Sequence, residues 1–166
     1  MSAAGSYRWL VPYDSEKLRR WPDLEGSDLL ASDAADRLIL DESAATRASI
    51  SPAELLVIGD SYGALTLGAV DEGEPESLVR VHQDTLTGER ALLANAETAG
   101  LSGTFSHHDL TPDLVTGARV ALVRLPRSLD ELDDIAALIA ASAAEDVTVF
   151  AGGRIKHMTT TMNEVL

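Results

Sequence analysis

The sequence predicts a three-layer α/β domain in which a mostly parallel sheet carries helices on both faces. Three observations predict it. Leu55-Leu56-Val57-Ile58 and Val120-Ala121-Leu122-Val123 are apolar runs of strand length with no polar residue at alternate positions, so both faces of these strands are covered. Strand and helix patterns alternate about four times along the chain, as in folds built from parallel strands and crossover helices. Directly after the first run stands Gly59-Asp60-Ser61-Tyr62-Gly63, a glycine turn where the chain passes from strand to helix.

The elements follow in order. Residues 1–30 are rich in Pro, Trp, Asp and Glu without a steady period, and are read as an irregular lead-in that packs Trp9 or Trp21 onto the domain. Asp33 caps a first helix whose face is Ala35, Leu38, Ile39 and Glu42, ending in a polar loop at Asp41-Glu42-Ser43. Ser51-Pro52-Ala53-Glu54 has the form of a capping box, but the run Leu55–Ile58 behind it reads as the first strand. Ala64 to Val70 is a short helix, broken by the charged, Gly- and Pro-containing stretch Asp71–Glu76. Ser77 to His82 is the second strand. Leu86, Glu89, Leu92, Leu93 and Ala96 mark a helix stopped by Gly100. Thr104 to His107 is a weak third strand, and Val120 to Val123, running into Arg124, the fourth. Ser128 and Glu131 form the clearest capping box, opening a helix with Leu132, Ile135, Ala136 and Ile139 on one face. Val147 to Phe150 is the fifth strand, ending at Ala151-Gly152-Gly153, and Thr159 to Val165 approaches another helix.

Composition narrows the chemistry. The 166 residues suffice for one domain, and with aromatics at 4% the core is aliphatic. No cysteine is present, which removes disulfides and thiolate metal sites and fits a cytoplasmic protein. No apolar run approaches the roughly 20 residues that span a bilayer. Thirteen basic residues against 27 acidic ones give a net charge of −14, which opposes nucleic-acid phosphates unless the cations gather in space. Lys17, Arg19 and Arg20 form one loose basic cluster, Arg154 and Lys156 another.

Around the glycine turn, Gly59 and Gly63 allow a sharp reversal that can bring backbone N–H groups to an adenosine or phosphate. A complete dinucleotide fingerprint needs a third glycine where Ser61 stands. A ribose is held by a carboxylate after the second strand; His82 ends that strand, and Asp84, two residues on, is either that acid or a helix cap. His107, His108 and Asp109 look metal-like, but neighbours on a strand point to opposite faces, so no metal site is expected. Gly59-Asp60-Ser61-Tyr62-Gly63 also fits the Gly-x-Ser-x-Gly frame of a serine hydrolase, with His107, His108 or His157 as base, although too few strands precede it.

From Asp33 to Leu166 the chain resembles the N-terminal domain of the ribosomal RNA guanine-N2 methyltransferases. The resemblance is carried by Ser32-Asp33-Ala34-Ala35-Asp36, by Leu56-Val57-Ile58-Gly59-Asp60-Ser61-Tyr62-Gly63-Ala64-Leu65, by Val123-Arg124-Leu125-Pro126-Arg127-Ser128-Leu129, and by Phe150-Ala151-Gly152-Gly153-Arg154-Ile155-Lys156. It implies a Rossmann-like, class I methyltransferase-like fold with residues 31–166 as a degenerate copy that stops before its last strands. In that family a C-terminal domain binds S-adenosylmethionine and carries an Asn-Pro-Pro-Phe signature. Here Val57 stands for the acid of the first strand, Ser61 for a glycine, and Arg124-Leu125-Pro126-Arg127 for the signature.

The implied function is that of a non-catalytic N-terminal domain that supports the fold or positions rRNA. A C-terminal catalytic domain is the implied partner, and S-adenosylmethionine is the cofactor of the parent enzyme, not of this chain. Gly59, Asp60, Tyr62, Gly63 and Asp84 form a cofactor site only if the vestigial pocket is active; Arg154 and Lys156 are the weak candidates for RNA contact. The alternatives are a stand-alone S-adenosylmethionine-dependent methyltransferase and a structural protein-interaction domain.

Overall fold

The computed structural model describes residues 14–70 and 77–165. Five strands, β1 (Leu55–Ile58), β2 (Val79–His82), β3 (Phe105–His107), β4 (Val120–Arg124) and β5 (Thr148–Gly152), form one sheet in the order β3-β2-β1-β4-β5. Every pairing is parallel, with Val57 opposite Val81 on one side and Leu122 on the other. The helices are α1 (Ala34–Arg47), α2 (Ala64–Ala69), α3 (Leu86–Ala99), α4 (Pro112–Val115), α5 (Leu129–Ser142) and α6 (Met162–Val165).

The period of two in each strand divides the core into two layers. Leu55, Val57, Val79, Val81, Val120 and Leu122 meet Ile39 of α1, Leu65 and Leu67 of α2, and Leu92 and Ala96 of α3. On the opposite face Leu56, Ile58, Ala121 and Val123 meet Leu114 and Val115 of α4, and Ile135 and Ile139 of α5. Each buried Leu, Ile or Val contributes about 1.5–3 kcal/mol, so the central strands, apolar at every position, are covered on both sides. Strand order reverses direction between β1 and β4, and the chain leaves a cleft beyond the carboxyl ends of these strands.

Several expectations need correction. The inward face of α1 is Asp36, Ile39 and Ser43, while Leu38 is 60% exposed and Glu42 faces solvent. The helix runs through the expected loop because Ala44 and Ala45 favour it and the Ser43 hydroxyl accepts from Arg47 Nε at 2.9 Å. Trp21 is 60% exposed, whereas Leu18 packs against the core; Trp9 and the break at 71–76 lie outside the described residues. Ser51-Pro52-Ala53-Glu54 is a capped 3-10 turn that leads straight into β1: the Ser51 N–H donates to the Glu54 carboxylate at 2.9 Å. β2 begins at Val79, since Ser77 and Leu78 lie outside the ladder, and α4 was not anticipated because its four residues are too few to show a period.

The glycine turn depends on backbone that only glycine adopts cheaply. Gly59 has φ +79° and Gly63 φ +100°; a Cβ on Gly63 would lie 2.8 Å from Leu92 Cδ1. Asp60, only 2% exposed, accepts from the N–H groups of Gly63 at 3.1 Å and Thr66 at 2.8 Å, and so caps α2 from the preceding turn. Gly63→Val should therefore lower the urea midpoint by an amount corresponding to about 1–3 kcal/mol. Asp60→Ala, which leaves two buried donors unpaired, should cost a similar amount; an unchanged midpoint for both variants would mean that the turn is loose.

Candidate functional site

The cleft beyond β1, β2, β4 and β5 has a volume of about 650 Å³. Its centre is ionic. Arg124, at the end of β4, donates to Asp33 through both terminal nitrogens, Nη1–Oδ1 at 2.9 Å and Nη2–Oδ2 at 3.1 Å, and Nη1 also lies 3.1 Å from Asp36 Oδ1. Arg154, just past β5, donates from Nε to Asp33 Oδ2 at 2.9 Å. Asp33 is also the N-cap of α1, accepting from the N–H groups of Ala35 and Asp36, and its own N–H donates to Asp36 Oδ2 at 2.8 Å. One carboxylate thus closes a helix end and joins two strand ends.

The two acids respond in opposite directions. Burial pushes the Asp33 carboxyl up, but the Arg124 and Arg154 guanidiniums outweigh it and hold it well below the usual carboxylate range. Asp36 lies deeper, faces a single guanidinium and has Asp60 and Asp33 as anionic neighbours, so burial pushes it up to about 6. Asp60 is raised by complete burial, partly offset by the amides it accepts from.

Of the sequence-predicted cofactor residues, Gly59, Asp60, Tyr62 and Asp84 line this cleft and Gly63 is buried beside them, but their polar groups are largely turned to the protein. The Gly59 N–H donates to the His82 carbonyl at 3.0 Å, and the Gly63 N–H to Asp60. The Tyr62 hydroxyl donates to Asp23 at 2.6 Å, and the Arg20 guanidinium lies 4.7 Å from the centre of its ring. Asp84 is not the cap of α3; Thr85 takes that role, accepting from the Gly88 N–H at 3.1 Å. Instead Asp84 Oδ1 lies 3.0 Å from His82 Nε2, and the side chain is 64% exposed. His82 Nδ1 faces the His108 carbonyl oxygen at 2.8 Å, and His108 Nε2 faces the Ser106 hydroxyl at 2.8 Å. These histidines therefore direct their rings to groups other than Ser61. Among the described residues no group of three His, Asp or Glu is placed to hold a metal ion.

The cations gather at one lip. Arg127, Arg154 and His157 line the cleft near β4 and β5. Burial, then the charges of Arg127, Lys156 and Arg154, hold His157 below its ordinary value. Arg154 is tied to Asp33, whereas Arg127 and Lys156 have no carboxylate partner among the described residues. Sequence spacing pointed to Arg154 and Lys156, which His157 follows directly; Arg127 joins them only through the fold. Asn95 was missed as well. From α3 it accepts from the Arg19 N–H and donates to the Arg19 and Tyr62 carbonyls at 2.8–2.9 Å, which fixes the lead-in against the glycine turn.

The raised Asp36 gives a pH dependence of definite sign. Its carboxyl stabilises the fold fully below the unfolded value of 3.8, and that contribution is lost as the pH rises through about 6, a change on the order of 2–3 kcal/mol. Asp33 acts oppositely, contributing above its unfolded value and losing that contribution as the pH falls. Urea unfolding from pH 4 to 7 should show a flatter dependence in Asp36→Asn than in the parent chain; equal slopes would contradict this assignment.

Comparison with known proteins gives the geometry its context. A family model described as the RLMG N-terminal domain matches residues 8–166. The chain is 27% identical over 163 residues to ribosomal RNA large subunit methyltransferase G of Pseudomonas syringae pv. syringae (strain B728a), covering 95% of this chain and 41% of that protein. To the protein of the same name from Streptomyces avermitilis it is 29% identical over 154 residues, covering 90% and 38%. It thus spans about two fifths of the length of these curated relatives. Among solved structures, TrmN from Thermus thermophilus superposes with a TM-score of 0.60 at 17% identity, over 92% of this chain and 45% of that one. The putative methyltransferase yhhF from Escherichia coli gives 0.57 at 17% identity, over 74% and 72%. These likenesses establish a class I methyltransferase-like Rossmann fold, and the match from Arg8 to Leu166 establishes that the chain belongs to the RLMG N-terminal domain family.

Proposed function

We propose that this chain is a non-catalytic RNA-positioning half of a larger cytoplasmic rRNA guanine-N2 methyltransferase, in which a separate C-terminal domain binds S-adenosylmethionine and transfers the methyl group. The observation that carries this reading is how the cleft spends its polar groups. Asp33, Asp36, Arg124 and Arg154 satisfy one another where a ligand would lie, and the Gly63 amide is taken by Asp60. Asp84, the remaining candidate for a ribose, is engaged by His82. An incoming cofactor would have to break ion pairs without regaining their energy.

RNA contact is supported by Arg127 and Arg154, which line the cleft, and by the exposed Lys156 two residues past Arg154. With few cations in a chain of net charge −14, binding by this domain alone is weak and falls with salt. The names of the relatives supply the methyltransferase context.

Calorimetric titration with S-adenosylmethionine and S-adenosylhomocysteine tests the cofactor part. The expected dissociation constant is above about 1 mM, a binding free energy of only about −4 kcal/mol. A micromolar constant that weakens in Asp84→Ala would overturn the non-catalytic reading and make Asp84 a cofactor ligand.

A further inference from the structure

The two edges of the sheet differ in how they are guarded. An edge strand offers unpaired N–H and C=O groups to any strand that reaches it, and proteins blunt such edges by keeping them short or by placing charges or proline on them. β3, at one edge, has three residues and runs directly into His108 and Asp109. β5, at the other, has five, and from Val147 to Gly153 the chain carries neither charge nor proline. The Thr148 N–H donates to the Arg119 carbonyl at 2.9 Å, and the Gly152 carbonyl accepts from the Leu125 N–H at 2.9 Å, so Thr148, Phe150 and Gly152 turn their backbone groups to β4. The alternation along the strand points the N–H and C=O of Val149 and Ala151 outward, where among the described residues nothing pairs with them. Apolar side chains stand open beside this edge: Val149 is 38% exposed, and Ile155, just past the strand, 90%.

The two ends of β5 carry opposite charges. Glu145 and Asp146 precede the strand, Arg154 and Lys156 follow it, and all four are exposed. Asp146 and Arg154 already hold Arg119 and Asp33, whereas Glu145 and Lys156 have no ion-pair partner among the described residues. Asp146 stands four residues before Phe150 and Arg154 four after it. Two copies laid edge to edge and antiparallel about Phe150 therefore bring the acidic end of each strand beside the basic end of the other, while parallel pairing would set like charges together. The outward backbone groups match in the same register. Val149 in each copy meets Ala151 in the other as a hydrogen-bonded pair, and the two Phe150 form the closer pair between them, with Cα atoms about 4.5 Å apart. We propose that β5 is a self-association edge, on which a second copy of this chain docks antiparallel and joins the two sheets into one. The contact is the same on both sides, so it closes at a dimer. The net charge of −14 on each copy opposes approach, but at 0.15 M salt charges more than about 8 Å apart are largely screened. The contact is small, and the dimer is a weak one with a dissociation constant on the order of 10–100 μM.

Sedimentation equilibrium of the 166-residue chain at 0.15 M salt, over concentrations spanning about tenfold on either side of that constant, tests the inference. The mass should rise from 17.6 kDa toward twice that value. Val149→Lys, a change at an exposed position whose melting curve should match the parent, should weaken association at least about 10-fold by placing a charge on the edge. Hydrogen exchange gives a readout that needs no variant: the Val149 and Ala151 amides should slow as the concentration rises, while that of Phe150, which faces β4, should not change. Glu145→Lys and Lys156→Glu should each weaken the dimer, and the double variant should restore it, because antiparallel pairing sets these two ends side by side. A monomer mass at every concentration would overturn the inference. So would a dimer that survives Val149→Lys or leaves the Val149 and Ala151 amides open, and a double charge variant no better than the single ones would overturn the antiparallel arrangement on which it rests.

Discussion

The bidentate contact between Arg124 and Asp33 is the interaction on which the cleft end of the molecule depends. Asp33 begins α1, Arg124 ends β4, and Arg154 follows β5, so one carboxylate fixes three separate elements at the point where strand order reverses. Fork-to-fork pairing orients the guanidinium as well as holding it. Asp36 extends the cluster inward, and its position beside Asp33 and Asp60 makes it the acid least able to bear its charge. A Rossmann-like sheet ordinarily leaves this place for a ligand; here the protein's own side chains neutralise one another in it.

The glycine turn is drawn into the same economy. Gly59 and Gly63 retain the left-handed backbone that brings a ligand close in nucleotide-binding folds, but the donors at the start of α2 go to Asp60. The Gln83 side-chain amide donates to the Asp60 carbonyl, and Asn95 accepts and donates across to the lead-in. Geometry suited to binding an anion is thus satisfied internally. Arg127, which has no carboxylate partner among the described residues, lines the same cleft outside this cluster.

Much of the sheet was legible because apolar runs bounded by glycine read directly as buried parallel strands. β1, β4 and the capped helix α5 lie where their residues placed them, because pattern and capping agree. Legibility failed where a polar residue is buried for a tertiary reason. Asp36 faces inward in place of Leu38 because Arg124, 88 positions away in sequence, provides its partner. Asp60 looked like a ligand group, since a cap supplied from the preceding turn has no signature of its own. Arg127 could not be grouped with Arg154 and Lys156 before β4 and β5 were known to be neighbours. Trp21 stays exposed because the lead-in is held by polar contacts of Asn95 and Tyr62, which composition does not reveal.

The central claim, that an internal ion pair occupies the cleft and holds the carboxyl end of the sheet together, is tested most directly by a double-mutant cycle of Arg124→Met and Asp33→Asn, read by urea unfolding at pH 7. Both side chains are mostly buried, and removing one member of such a pair leaves the other charge poorly solvated, a loss of about 3–5 kcal/mol. The account predicts a coupling energy of at least about 2 kcal/mol, with the double variant losing less than the sum of the single ones. A coupling below about 0.5 kcal/mol, with the two losses simply additive, would contradict it.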